Sequence, residues 1–389
     1  MKSKVLIFIS VLVLILSGCS KPEQIISAEE WEDDYPDVYA TYLQNSEMEE
    51  TTFGGSVPID YLEKYPELKT FYEGNGFSIE YLRARGHVYA LEDVIHSARP
   101  KAAASCFACK SPDYLKLLED EGVEANKMSF DEAAPMMEST ISCYDCHKNT
   151  PGVVDVSRSH FLTGVEHLEK ELKSTETACA QCHVEYYQDP ESKEIILPWV
   201  NGVGTDDMIA YYDSLDYSDW THPSTGSPML KAQHPEFETY QSGLHAKFNL
   251  TCADCHMPET EGIEMESFRS HQWTSPLKSI ESSCLGCHQD ESGPSLISKV
   301  ESVQGEVEVK MQEGTEVLLQ LIEILQKETA TQTVSDDILK EARYKHRVAQ
   351  FKWDFVFVEN SEGFHNQQLA LENLQDAIDI ANEGIALLE

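Results

Sequence analysis

Five C-x-x-C pairs constrain this chain more than any other feature: Cys106/Cys109, Cys143/Cys146, Cys179/Cys182, Cys252/Cys255 and Cys284/Cys287. Of its 11 cysteines, only Cys19 stands outside them. Four pairs run directly into histidine, as CYDCH (His147), CAQCH (His183), CADCH (His256) and CLGCH (His288). On a helical turn, residues i, i+3 and i+4 share a face, so two thiols can form thioethers to one porphyrin while the adjacent imidazole reaches its iron. That is the c-type haem attachment signature. A disulfide framework gives no reason for ten cysteines at a single spacing, and structural zinc does not need a histidine after every second cysteine.

The first pair departs from the rule. SCFACKS places Lys110 where the histidine should stand, which leaves a degenerate site, a redox dithiol or an iron with an unusual ligand. The intact sites use four of the 14 histidines; His87, His96, His160, His167, His222, His234, His245, His271, His346 and His365 remain as candidate sixth ligands. Spacing alone does not pair them, because a distal ligand can come from anywhere in the chain. The attachment sites recur without similarity between them, which predicts short helical turns hung on haems rather than a solenoid of equal repeats.

At the N-terminus, Lys2 and Lys4 precede an apolar run of 12 residues, Val5 to Leu16, too short to span a bilayer. The run ends Leu16-Ser17-Gly18-Cys19, which resembles a bacterial lipoprotein cleavage box and predicts export, removal of 1–18 and lipidation of Cys19 at the outer face of the membrane. Residues 19–55 begin as an acidic tether whose later part is capable of order. The formal charge of -39 is spread along the chain, which argues against nucleic acid as a partner. At the other end no proline occurs between Ser295 and Leu388, and Val303, Val307, Val317, Leu318, Leu321, Ile322 and Leu325 recur at helical spacing. Long helices are predicted there, the second from about Asp336 to Val358 and the third from about Asn366 to Leu388. The expected fold is mostly α, with a haem-packed region over 56–295 and long C-terminal helices over 296–389.

From about residue 55 onward the chain resembles the pentahaem cytochrome c nitrite reductases (cytochrome c-552), the ammonia-forming enzymes. The resemblance rests on ARGHVYALED, CFACKSPD, CAQCHVEYY, SDWTHPSTGSPMLKAQHPEFETYQSGLHAKFNLTCADCHMP and YKHRVAQFKWDF. It implies that Lys110 is the proximal ligand of a catalytic haem, with Arg99, Tyr186 and His234 as the active-site arginine, tyrosine and histidine. It implies five covalent haem c groups, with His87, His245, His271 and His365 as the four distal ligands. His160 and His167, in the segment that matches least well, are possible substitutes among these. A calcium ion is implied on Glu185, Tyr186, Lys231 and Gln233. Further expectations are nitrite as substrate, a quinol-oxidising multihaem membrane cytochrome as electron donor, and a homodimer formed through the long helices. Hydroxylamine, nitric oxide and sulfite are further substrates on the same ground. The competing classes are a multihaem electron carrier with six ligands on every iron, and a multihaem reductase of hydroxylamine or sulfur oxyanions.

Overall fold

The long helices lie where the C-terminal periodicity puts them. In this computed structural model, which describes residues 24–47, 56–168 and 172–389, the N-terminal segment carries helix α1 (Pro36–Leu43) and the C-terminal third is built from α2 (Gly293–Thr331), α3 (Asp336–Phe357) and α4 (Gln367–Leu388). Polar side chains start each of the three. Ser292, Ser335 and Asn366 accept the N–H groups of Ser295, Ile338 and Leu369 (3.2–3.4 Å), and Pro294 sits in the first turn of α2, where no donor is needed. Gln332, in the left-handed conformation, ends α2. At 39 residues α2 is about 58 Å long.

Leu318, Leu321 and Leu325 of α2, Ala342, Ala349 and Trp353 of α3, and Leu374, Ala377 and Ala381 of α4 form one buried core, joined by Leu68, Phe71 and Tyr72. Small residues set the spacing. A Cβ on Gly384 would lie 3.0 Å from Leu321 Cδ1, so α2 and α4 approach at that point because the side chain is absent. Helix α3 is the hinge of the architecture, buried at every residue from His346 to Val356. Its opposite face, through Phe351 and Phe355, enters a second core with Val184, Trp199, Tyr212 and Phe237. The charges that this burial forces inside are paired: Arg347 with Asp213, Lys352 with Asp206 and Asp376, Asp354 with Lys231.

Upstream of α2 regular structure is scarce, as expected of a haem-packed region. Helices there run from one turn to the ten residues of Thr205–Ser214, and the strands of the described residues form three two-stranded antiparallel ladders. Among the described residues, no helix is long and apolar enough to cross a membrane.

Candidate functional site

The five attachment sites are numbered in chain order. Sites 2 and 4 are single helical turns, Cys143–His147 and Cys252–His256, and their sequences explain the turn. In SCYDCH and TCADCH the acid at the fourth position takes the N–H of the residue that opens the turn, Asp145 from Ser142 and Asp254 from Thr251, each at 2.8 Å. Cysteine, cysteine and histidine are thereby presented on one face.

None of the ten cysteines of the five pairs is in a disulfide, and nine of them are partly buried. Cys287 of site 5 is the exception. Cys287 is exposed, along with Gly286 and His288 on either side of it. The reason is local. Site 5 follows the short helix Ile280–Ser283, whose Ile280 is buried, and then turns outward through the polar run His288-Gln289-Asp290-Glu291 into α2. Cys284 stays half-buried near the Ile280 anchor, while Cys287 sits on the outer side of the turn. A porphyrin held by this pair would keep one edge towards solvent.

Each attachment-site histidine has an imidazole partner. Ring centroids are 5.9 Å apart for His183 and His87, 6.2 Å for His147 and His271, 6.3 Å for His256 and His365, and 6.4 Å for His288 and His245. Two imidazoles on one six-coordinate metal, each nitrogen about 2 Å from it, put their centroids about 6 Å apart. The Nδ1 atoms are engaged elsewhere. His147 donates to Val153 O (2.9 Å), His271 to Arg269 O (2.9 Å), His256 to Thr274 O (3.1 Å) and His365 to Glu359 Oε1 (2.6 Å), which leaves Nε2 for iron in all four. The residues fit the haems that the attachment motifs call for.

A different pair shows the contrast. His222 and His346 are also close, at 5.5 Å, yet His222 Nε2 bonds Thr70 O while both nitrogens of His346 are engaged, by Ser227 and Gln350. They are packing residues. His160 likewise bonds Gln181 O through Nε2 (2.8 Å), and His96 bonds Glu92 O. Sequence reading missed the partners Glu359, Val153 and Thr274, of which only the acid could have drawn notice.

Site 1 lies on the turn Ala104–Phe107, followed by Lys110, and Gln188 Nε2 ties it to the strand Tyr187–Gln188 through Ser105 Oγ (2.6 Å). Arg99 approaches from the loop after the helix Ala90–His96, with Nε on Ser97 Oγ (3.2 Å) and its guanidinium 4.3 Å from the Phe77 ring centroid. Burial raises the Tyr186 phenol, the thiols of Cys109 and Cys106 add to the rise, and Arg99 opposes it. Burial brings His234 down to about 4 against the pull of Glu236, with the charge of Lys110 adding to the decrease. Its Nδ1 is buried without a partner. Lys110, Arg99, Tyr186 and His234 therefore face one electrostatic space beside the first thiol pair. His183 neighbours His234 as well as His87, with centroids 6.4 Å apart.

Behind this space Glu185 is fully buried, and burial, with Glu238 and Asp219 nearby, holds its carboxyl well above the usual range despite the Gln233 N–H. Its oxygens accept from Gln233 N (2.5 Å) and Tyr212 OH (3.1 Å), and the Gln233 amide lies on Lys231 O (3.0 Å). The Lys231 ammonium points away, to Asp354 (3.0 Å). A buried carboxylate beside a carbonyl and an amide, with its nearest lysine engaged elsewhere, fits a calcium ion.

The sites are contiguous. Cys109 of site 1 and Cys146 of site 2 both neighbour Cys182 of site 3, the helix Ser174–Ala180 that bears Cys179 packs against the turn Cys252–His256, and that turn packs against the helix Ile280–Ser283 before site 5. The order is 1–3–4–5, with site 2 branching from site 3. Arg158, 1% exposed, sits at that junction: it donates to Ala108 O (3.0 Å) between the two cysteines of site 1, pairs with Asp145 of site 2, and shares the Asp145 carbonyl with Gln181 of site 3. Nothing in its local sequence singled it out.

A family model for cytochrome c552 matches residues 27–389. The chain belongs to the cytochrome c552 family. Within that family it is 33% identical to the cytochrome c nitrite reductase subunit NrfA of Nitratidesulfovibrio vulgaris, over 90% of this chain and 77% of the relative. It is 33% identical to cytochrome c-552 of Bacteroides thetaiotaomicron, over 92% and 75%. Among solved structures it is similar to cytochrome c nitrite reductase from Desulfovibrio desulfuricans, with a TM-score of 0.86 and 28% identity, over 93% of this chain and 86% of that one. That catalytic subunit is described with two calcium sites. The mostly helical cytochrome c552 fold and the long C-terminal helices are shared.

Proposed function

We propose that this chain catalyses the six-electron reduction of nitrite to ammonium at site 1. The observation that carries the reading is the division of the attachment sites: four histidines each face a second imidazole, whereas site 1 ends in Lys110 and lies near Arg99, Tyr186 and His234. The relatives named as nitrite reductases support the same assignment. When bound, the haem on Cys106 and Cys109 supplies an iron that takes nitrite and passes it electrons.

The chain's own groups do the rest. Lys110 holds the iron as a neutral amine, its proton given up on ligation. Arg99 draws in the nitrite anion and compensates negative charge at its oxygens. His234 and Tyr186 supply hydrogen bonds and protons as the two oxygens leave as water; nitrite takes up six electrons and eight protons in all. Glu185, the Tyr186 and Lys231 carbonyls and Gln233 would hold a calcium ion, which would fix the backbone from which Tyr186 and His234 project. The histidine pairs of sites 2 to 5 would hold haems whose chemistry is electron transfer towards site 1. In this reading the exported chain is lipid-anchored through Cys19, which lies outside the described residues, pairs as a homodimer, and draws electrons from a quinol-oxidising multihaem cytochrome.

Reduced protein supplied with nitrite is expected to yield ammonium stoichiometrically. Lys110→Leu is expected to lose that activity by a factor of roughly 100 or more while the other four haems keep their low-spin spectra. Five six-coordinate haems and no ammonium would instead make the chain an electron carrier; turnover of hydroxylamine or sulfite but not nitrite would make it a different multihaem reductase.

A further inference from the structure

Residues 24–47, the later part of the acidic segment, lie against site 2 at both ends. At the start, Asn149, two residues after His147, takes the Ile26 N–H on Oδ1 (3.2 Å) and donates from Nδ2 to Gln24 O (2.7 Å). Further along, Thr41 Oγ1 accepts the His271 N–H (3.0 Å), while Asn45 donates from Nδ2 to His271 O (2.7 Å) and accepts the Trp273 N–H on Oδ1 (2.8 Å). Tyr42 stacks edge-on against Trp273 (5.8 Å), whose ring lies between those of His271 (6.1 Å) and His87 (4.9 Å). The segment thus holds the backbone of His271 on both sides of the residue. The ring is held separately, by Nδ1 on Arg269 O (2.9 Å).

Holding both backbone groups of one residue from a distant element is more than packing requires. Residue 271 lies in a short irregular stretch after the strand Ser267–Arg269, where no ladder or helix fixes the chain. Without Thr41 and Asn45 its N–H and C=O would turn to water or stay unpaired, and the imidazole direction would be left to a single bond. We propose that residues 24–47 form a strap that positions His271 opposite His147, with Thr41 and Asn45 as the positioning residues. The inference rests on the reading that this pair ligates the haem of site 2.

The test uses the haem-loaded full chain, reduced and titrated with carbon monoxide, which binds a ferrous haem with an open position and not a bis-histidine one. Thr41→Val/Asn45→Leu is expected to bind about one more CO per chain than the unaltered protein. Thr41→Ser, which restores the acceptor, and Asn149→Ala, which loosens only the start of the strap, are expected to keep the unaltered stoichiometry. His271→Ala is the reference. If it gains no CO, the ligand reading fails; if it gains one and Thr41→Val/Asn45→Leu does not, the strap has no positioning role. Should the double variant load haem incompletely, Thr41→Val alone is oxidised and read by the low-spin ferric electron paramagnetic resonance of that haem, and an unshifted signal overturns the proposal.

Discussion

Asp354 accepts from three donors inside the protein: the Tyr72 hydroxyl, the Ala232 N–H (3.0 Å) and, on both oxygens, the Lys231 ammonium (3.0 Å). It is fully buried and Lys231 is 3% exposed. Burial pushes the Lys231 amine down, and Asp354 is the largest influence holding it up. Asp354→Ala leaves that charge unpaired, so we expect a loss of roughly 3–5 kcal/mol in denaturant unfolding. Because the Lys231 carbonyl belongs to the proposed calcium site, the same variant is expected to hold calcium more weakly, read by chelator titration. Asp354→Asn, with one oxygen still accepting, should fall between. At this scale the sequence was uneven. The attachment cysteines, their histidines and Lys110 are legible because covalent chemistry imposes a spacing. That spacing says nothing of burial, which is why the exposure of Cys287 had no counterpart in the motif. The proximity of His271 to His147, or of His365 to His256, is not legible either, since the partners come from separate parts of the chain. Arg158 and Asp354 are invisible for another reason: a buried charge looks like a surface charge until its partner is seen.

Short elements carry the candidate ligands, and their junctions are tight. Gly243 opens the turn Leu244–Lys247, which bears His245, and a Cβ there would lie 2.3 Å from His365 O and 3.0 Å from Tyr240 O. Both obstacles are backbone. Gly243→Ala must push apart the segments of two candidate ligands, so we expect a loss of about 1–3 kcal/mol, with altered low-spin signals from the haems of sites 4 and 5 together. A change confined to one site would contradict the shared contact. The strap offers a second case. Asp37 of α1 accepts the N–H groups of Ile263, Glu264 and Met265 at 2.8–3.0 Å, where Gly262 permits the approach. The Ile263 and Met265 donors hold its carboxyl below the ordinary 3.8, against a small opposing effect of burial, with Glu264 adding to the decrease. A depressed acid contributes stability that is complete above its unfolded value and disappears as pH falls through the folded one. Hydrogen-exchange protection at residues 263–265 should therefore decline below pH 3.8, and Asp37→Asn should remove that dependence. The long helices were legible to within a residue or two of most ends, because proline-free periodicity and polar caps are local signals. The strap was not, because its order comes from contacts some 230 residues away in sequence.

The whole molecule joins a strongly acidic chain, of formal net charge -39 over its full sequence, to a proposed lipid anchor at Cys19. Anionic lipid repels such a chain, and the repulsion fades within about 8 Å at physiological salt. Lipid is then the sole attraction, and Cys19→Ser is expected to abolish flotation with anionic vesicles at any salt concentration. Persistent binding of that variant would mean a second membrane contact. The strap adds a consequence of its own. From Cys19 to Gln24 the chain advances five residues, at most about 18 Å when fully extended. That is a mooring line shorter than a third of α2, fastened beside Asn149. If Cys19 carries the proposed anchor, a body moored so closely could not swing freely, and the part that bears Asn149 and site 2 would ride near the bilayer.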